Sequence, residues 1–183
     1  QRRAAAAARG KHRGIGLAYY LEATGGDATE RAEMRFTDDG FVDVYVGTQS
    51  TGQGHETAYV QLTVDRLGVP GEKVRIRQGD TDAIPTGGGT GGARSLYSEG
   101  QAIYATAATV IEKGRRAASE QLEAAMADIV FEAGRFSVTG TDRGVDIMTL
   151  AATQRARIAR GEDATILDTA EVANIAAHTF PNG

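Results

Sequence analysis

The 183 residues contain no cysteine, no tryptophan and only three prolines. Without cysteine, a disulfide framework, a thiolate zinc site and a cysteine nucleophile are all excluded from this segment. No apolar run approaches the ~20 residues that a membrane-spanning helix needs. The opening QRRAAAAARG has the charge of a signal-peptide start, but its five alanines are too short and too weakly hydrophobic for the apolar centre of one. An excess of positive charge is also lacking: 20 Lys and Arg stand against 24 Asp and Glu, a net charge of -4. That balance argues against broad electrostatic binding to nucleic acid. Hydrophobic residues make up 41% of the chain, enough for a buried core.

What the chain has in excess is glycine. There are 24, and five of the seven positions 86–92 are glycine. With so little proline this is not a linker composition, so the glycines are expected to serve tight turns and close backbone approach to a ligand. Residues 14–22 read as a strand. Ala32, Met34 and Phe36 alternate with Glu33 and Arg35 and predict a second strand. Asp38-Asp39-Gly40 is a turn signal, and 41–46 alternates again as a third strand. These three predict an antiparallel meander. Val60, Val64 and Leu67 predict a helix from about Gly54, stopped by Gly68 and Pro70. Residues 73–77 read as a short strand. A long helix is expected from Ser95 to about Ala127, with Ile103, Ala107, Val110 and Ile111 on its apolar face and Gly114 as a weak point. A hairpin at 129–138 and a helix at 146–159 follow, while 160–183 alternates poorly. The expected class is α+β (mixed α/β), with strand–glycine loop–helix units at 41–67 and 73–113.

The two glycine loops have one physical character. In each a strand ends, the chain turns through glycines, and a helix begins. A helix N-terminus carries unpaired N–H groups and a partial positive charge, so it is a ready anion site. The first loop is Gly52-Gln53-Gly54-His55-Glu56-Thr57 and the second is Gly87-Gly88-Gly89-Thr90-Gly91-Gly92-Ala93-Arg94-Ser95. Gln53 offers an amide that donates and accepts, and Arg94 a planar fork. Simple motif matches are weak. Gly87, Gly89 and Gly92 satisfy G-x-G-x-x-G, but Pro85 and a polar stretch separate them from the preceding strand. A Walker loop fails because Ala93 follows Gly92 where a lysine is needed. His55 reads as a polar first-turn residue with no His or Cys neighbour to share a metal, His12 and His178 as isolated surface residues, and Arg115 and Arg116 as a solvated helix face. Asp80 and Asp82 read as a turn with local N–H bonds, and Glu56 as a dipole complement.

Taken jointly, GTQSTGQGHETAYVQLTVDRLGVP, then VRIRQGDTDAIPTGGGTGGARS and an alanine-rich helix, resemble the molybdopterin-binding large subunit of the xanthine dehydrogenase and aldehyde oxidase superfamily. The large subunits of aerobic-type carbon monoxide dehydrogenases are the group resembled most. The resemblance covers about residues 10–183. It implies that Gly52, Gln53, Gly54 and His55 approach the pterin and molybdenum end of the cofactor. Gly91, Gly92, Ala93, Arg94 and Ser95 would line it too. Ala93 departs from the family, which often has serine there. In bacterial members the cofactor is typically the cytosine dinucleotide form of molybdopterin. The implied reaction is hydroxylation of a carbon centre with oxygen from water. Electrons would leave through 2Fe-2S and FAD-binding partner subunits or domains, in the cytoplasm.

The family's catalytic base is a Glu in a Gly-x-Gly-Glu motif, which this chain lacks. We therefore expect no catalytic residue and no metal ligand within it. Residues 1–10 are expected to be an N-terminal remnant and 11–183 a single partial molybdopterin-binding domain. On this reading the chain is a fragment, inactive alone and without bound cofactor by itself. Two alternatives stay open: a free-standing nucleotide- or phosphate-binding module, and a structural assembly domain whose glycines serve only as turns.

Overall fold

The computed structural model describes residues 1–25, 29–174, 177 and 179–180. The elements run α1 (Arg2–Ala7), β1 (Thr29–Phe36), β2 (Val42–Val46), α2 (His55–Leu67), β3 (Val74–Arg77), α3 (Ser95–Gln121), β4 (Ile129–Glu132), β5 (Arg135–Val138), β6 (Gly144–Asp146), α4 (Ile147–Ala159) and β7 (Thr169–Asn174). They form a four-stranded sheet of order β3-β2-β1-β7 and a three-stranded sheet of order β4-β5-β6. This is the mixed α/β class that the sequence predicted.

Strand β1 buries Glu30, Ala32, Met34 and Phe36, alternate residues on one face. Helix α3 covers that face, and its Thr106 hydroxyl donates to the Ala32 carbonyl at 3.1 Å. β1 and β2 pair antiparallel through the turn at Gly40, whose φ is 78°. β2 and β3 pair parallel. A parallel pair needs a crossover, and α2 supplies it. The glycine loop 47–54 is therefore the link from a strand end to its crossover helix.

Two strand expectations change. Residues 14–22 form no strand among the described residues, and Ile15, Leu17 and Tyr19 are almost fully exposed. Alternation in that stretch had the right period but no neighbouring backbone to bond. Its place beside β1 is taken by β7, from the poorly alternating C-terminal stretch. β7 is an edge strand with no fully buried residue, so it carries little periodic signal. The antiparallel run is thus β7-β1-β2 in space. The three-residue β6 is too short to carry a period in the sequence.

Helix α3 ends at Gln121, earlier than the expected Ala127. Glu123 adopts φ 48°, and the Ala124 N–H returns to the Ser119 carbonyl, a left-handed C-terminal cap. Gly114 does not divide the helix. A Cβ there would lie 2.2 Å from Cζ of the buried Phe136, so the glycine is the notch that lets the second sheet dock. We predict that Gly114→Ala lowers unfolding free energy by about 1–3 kcal/mol, the cost of overpacking outweighing alanine's helix preference. Chemical denaturation measures it; an unchanged midpoint would show that the ring moves aside freely.

Candidate functional site

Both glycine loops open on the same cleft. Its volume is about 400 Å³, and Gln53, Gly54, His55 and Ala58 line one side. Thr90, Gly91, Gly92, Ala93, Ser95 and Leu96 line the other. The wall therefore includes the first turns of α2 and α3, two helix N-termini brought to one opening. Gly54 caps α2 in the left-handed region at φ 78°, a conformation that glycine adopts without strain. Gly92, at φ 55°, also has no room for a side chain, since a Cβ would meet the Gly25 carbonyl at 2.7 Å. Ala93 holds φ 52°, an unusual conformation for a residue with a Cβ.

Seven of the nine residues singled out in the sequence line this cleft: Gln53, Gly54, His55, Gly91, Gly92, Ala93 and Ser95. Gly52 lies just outside it, exposed, at φ 111°. Arg94 also stands outside the wall, because its side chain turns inward and is 5% exposed. Arg94 Nη2 donates to the carbonyls of Gly88 at 2.6 Å and Gly89 at 3.0 Å and lies 3.7 Å from Glu30. The fork thus braces the second loop. A Cβ at Gly88 would sit 2.5 Å from Arg94 Nη2, so the brace requires glycine there.

Gln53 turns its carbonyl to the Thr51 N–H and hydroxyl, which leaves its amide N–H end for a ligand. His55 is buried and packs its ring against Tyr59 at 5.4 Å. Among the described residues its Nδ1 has no hydrogen-bond partner. Two helix starts and the backbone N–H groups of the glycine loops together suit an anionic, phosphate-bearing group. No group of three or more potential metal-ligating side chains occurs among the described residues. Asp80 bonds the N–H groups of Asp82 and Ala83, the turn expected of it.

Beneath the cleft lies a buried polar layer that sequence reading missed: Glu30, Thr48, Ser98 and Glu99. The signal was available. Stepping back four residues from Ile103 on the apolar face of α3 reaches Glu99, and Ser95 and Ser98 lie on the same stripe. A wider groove of about 820 Å³ runs along α4. There Arg155 is paired with Asp38 at 3.0 Å and Asp168 at 3.2 Å, so its charges answer one another.

Residues 1–182 match the family described as the molybdopterin cofactor-binding domain. The chain is 35% identical over 154 residues to the 6-hydroxypseudooxynicotine dehydrogenase complex subunit gamma of Paenarthrobacter nicotinovorans, covering 84% of this chain and 19% of that one. It is 34% identical to the carbon monoxide dehydrogenase large chain of Afipia carboxidovorans, covering 69% and 17%. Among solved structures it superposes on the Cu,Mo-CO dehydrogenase with a TM-score of 0.78 at 28% identity, covering 97% of this chain and 24% of that one. Quinoline 2-oxidoreductase from Pseudomonas putida 86 gives a TM-score of 0.70 at 31% identity, over 97% and 24%. The chain spans about a fifth of the length of the curated relatives named here. Among the described residues no helix is long and apolar enough to cross a membrane. By its two glycine loops, its fold and its similarity over residues 1–182, the chain belongs to the molybdopterin cofactor-binding domain family of the xanthine dehydrogenase and aldehyde oxidase superfamily.

Proposed function

We propose that this chain forms one wall of the cofactor site in the large subunit of a molybdenum hydroxylase. The observation that carries the reading is the meeting of two helix N-termini at one glycine-lined cleft. Each terminus presents backbone N–H groups and a partial positive charge, and together they favour a phosphate or pyrophosphate. The N–H groups at the starts of α2 and α3 would hold the anionic part of the cofactor. Gln53 and His55 would orient it, and Ser95 adds a hydroxyl at the same rim. Arg94 and Glu30 keep the second loop in shape from below. When bound, the molybdenum group supplies the redox chemistry of carbon hydroxylation; this chain supplies its seat.

The cytosine dinucleotide form fits the seat, because its pyrophosphate is the group that two helix starts favour. Residues 11–183 would act as one partial domain. Electrons would pass to 2Fe-2S and FAD-binding partners of a cytoplasmic enzyme. The chain lacks the Gly-x-Gly-Glu base motif, and one wall leaves a ligand largely in solvent. We therefore infer that the chain by itself neither retains the cofactor nor turns over substrate.

Gly91 allows a clean test. A Cβ there meets nothing within 4 Å, so Gly91→Val should fold normally while filling the cleft. In the complete large subunit we expect molybdenum content to fall by about tenfold, equivalent to roughly 1.4 kcal/mol of binding free energy. Full molybdenum content with unchanged stability would overturn the reading.

A further inference from the structure

The root of the first glycine loop is tied to both long helices. Glu99, one turn into α3, is fully buried. Its Oε2 accepts from the Gly47 N–H at 3.1 Å and from the Thr48 hydroxyl at 3.3 Å. Thr48 Oγ1 shares a 2.5 Å hydrogen bond with the Tyr59 hydroxyl of α2. Gly47 and Thr48 lie where β2 ends and the loop begins. Glu99 therefore holds that point from α3, and Tyr59 holds it from α2.

Charge counting decides the state of Glu99. Among the described residues, the fully buried carboxyl groups Glu30 of β1 and Glu99 of α3 have one buried guanidinium near them, Arg94, and Glu30 also accepts from the Gly88 N–H. Arg94 lies beside Glu30 and spends two further contacts on the carbonyls of Gly88 and Gly89. Among the described residues Glu99 has no ion-pair partner, and its Oε1 has no hydrogen-bond partner in the protein. The Tyr59 phenol also reaches it, through Thr48. A buried anion with one bare oxygen and another acid nearby is strongly disfavoured, and the acid form costs less because it removes the charge and leaves a single O–H to satisfy. Burial first, and the Glu30 charge second, push the Glu99 pKa up to about 8.

We propose that Glu99 is a neutral, proton-carrying latch that fixes the first glycine loop between α2 and α3, and so sets the spacing of the two helix starts. It is a positioning residue, not a ligand, and its meaning for the cofactor rests on the reading of the cleft given above. Ionisation would place a second acid charge near Glu30 and would loosen the root of the loop.

The full chain is compared as wild type, Glu99→Gln and Glu99→Ala by urea unfolding at pH values from roughly 5 to 9. The folded state holds a proton that the unfolded state releases at lower pH, so wild-type stability should fall as pH rises across this window and level off above the folded pKa. Glu99→Gln, which keeps the neutral shape, should lose that decline and exceed wild type in alkaline solution. Glu99→Ala should be weaker throughout. The Gly47 and Thr48 amide resonances should titrate in wild type and stay fixed in Glu99→Gln. Equal pH slopes in wild type and Glu99→Gln would overturn the latch. In the complete subunit, Glu99→Gln should keep its molybdenum and Glu99→Ala should lose several-fold. If the glutamine variant flattens the profile but the alanine variant keeps full molybdenum, the latch stands and the cofactor reading of the cleft falls.

Discussion

Arg94→Ala should destabilise the fold before it disturbs any ligand, with an expected loss of about 3–5 kcal/mol in unfolding free energy. The Arg94 side chain is buried and its guanidinium lies beside the fully buried Glu30. Removing it takes away a nearby cation that offsets a buried acid, while the Gly88 and Gly89 carbonyls lose their donor. Truncating one partner of a buried pair is costly because the other stays behind in low dielectric. Arg94→Lys should recover only part of the loss, since one ammonium cannot reproduce the planar fork that serves two carbonyls and an acid. Urea unfolding measures both variants. If Arg94→Ala keeps wild-type stability and loses only the cofactor, then Arg94 contacts the cofactor directly, as the resemblance implied, and the bracing role is wrong.

Gly68→Ala should be the second severe substitution, at about 3 kcal/mol or more. Gly68 ends α2 in the left-handed region at φ 61°, where its N–H returns to the Val64 carbonyl. A Cβ there would lie 2.2 Å from the Gly134 nitrogen and 2.3 Å from the Ala133 carbonyl carbon. These are backbone atoms of the β4–β5 turn, so no rotamer change relieves the overlap. The left-handed conformation alone costs a non-glycine residue roughly 1–2 kcal/mol, and the overlap adds a comparable amount. The hairpin would have to leave the end of α2, and the Ile147 N–H to Gly134 carbonyl bond that starts α4 would move with it. For a chain of this size the melting temperature should drop by about 6–12 °C. A melting temperature within about 2 °C of wild type would mean that the hairpin does not pack there.

The parts of this fold that were legible in the sequence share one property: their signal is local. The periodic spacing of Val60, Val64 and Leu67 marks α2, Gly68 marks its end, and the Ala32–Met34–Phe36 alternation marks β1. The glycine loops were legible for the same reason, since a strand, a run of glycines and a helix start adjoin in sequence. Pairing was not legible. Residues 14–22 carry a strand's alternation without a partner among the described residues, while β7 finds one with almost no alternation. The role of Arg94 was hidden because its partners, Glu30 and the Gly88 and Gly89 carbonyls, converge only in three dimensions. Glu99 was hidden differently: a glutamate in an alanine-rich helix reads as solvent-facing unless its place on the buried stripe is counted.

The latch and the brace are two answers to one packing problem. A cleft built from two helix N-termini concentrates positive field at its mouth and needs polar groups below to hold the loops. Glu30 with Arg94 holds the second loop as an ion pair, and Glu99 with Thr48 and Tyr59 holds the first without net charge. Both arrangements leave the backbone N–H groups of the cleft itself free for a ligand.

The most direct measurement is amide hydrogen exchange on the complete large subunit, loaded with cofactor and stripped of it. The account predicts that amides at the starts of α2 and α3, across residues 54–58 and 91–98, become protected together when the cofactor is present. Protection at only one helix start, or at neither, would contradict the claim that the two converge on one bound group.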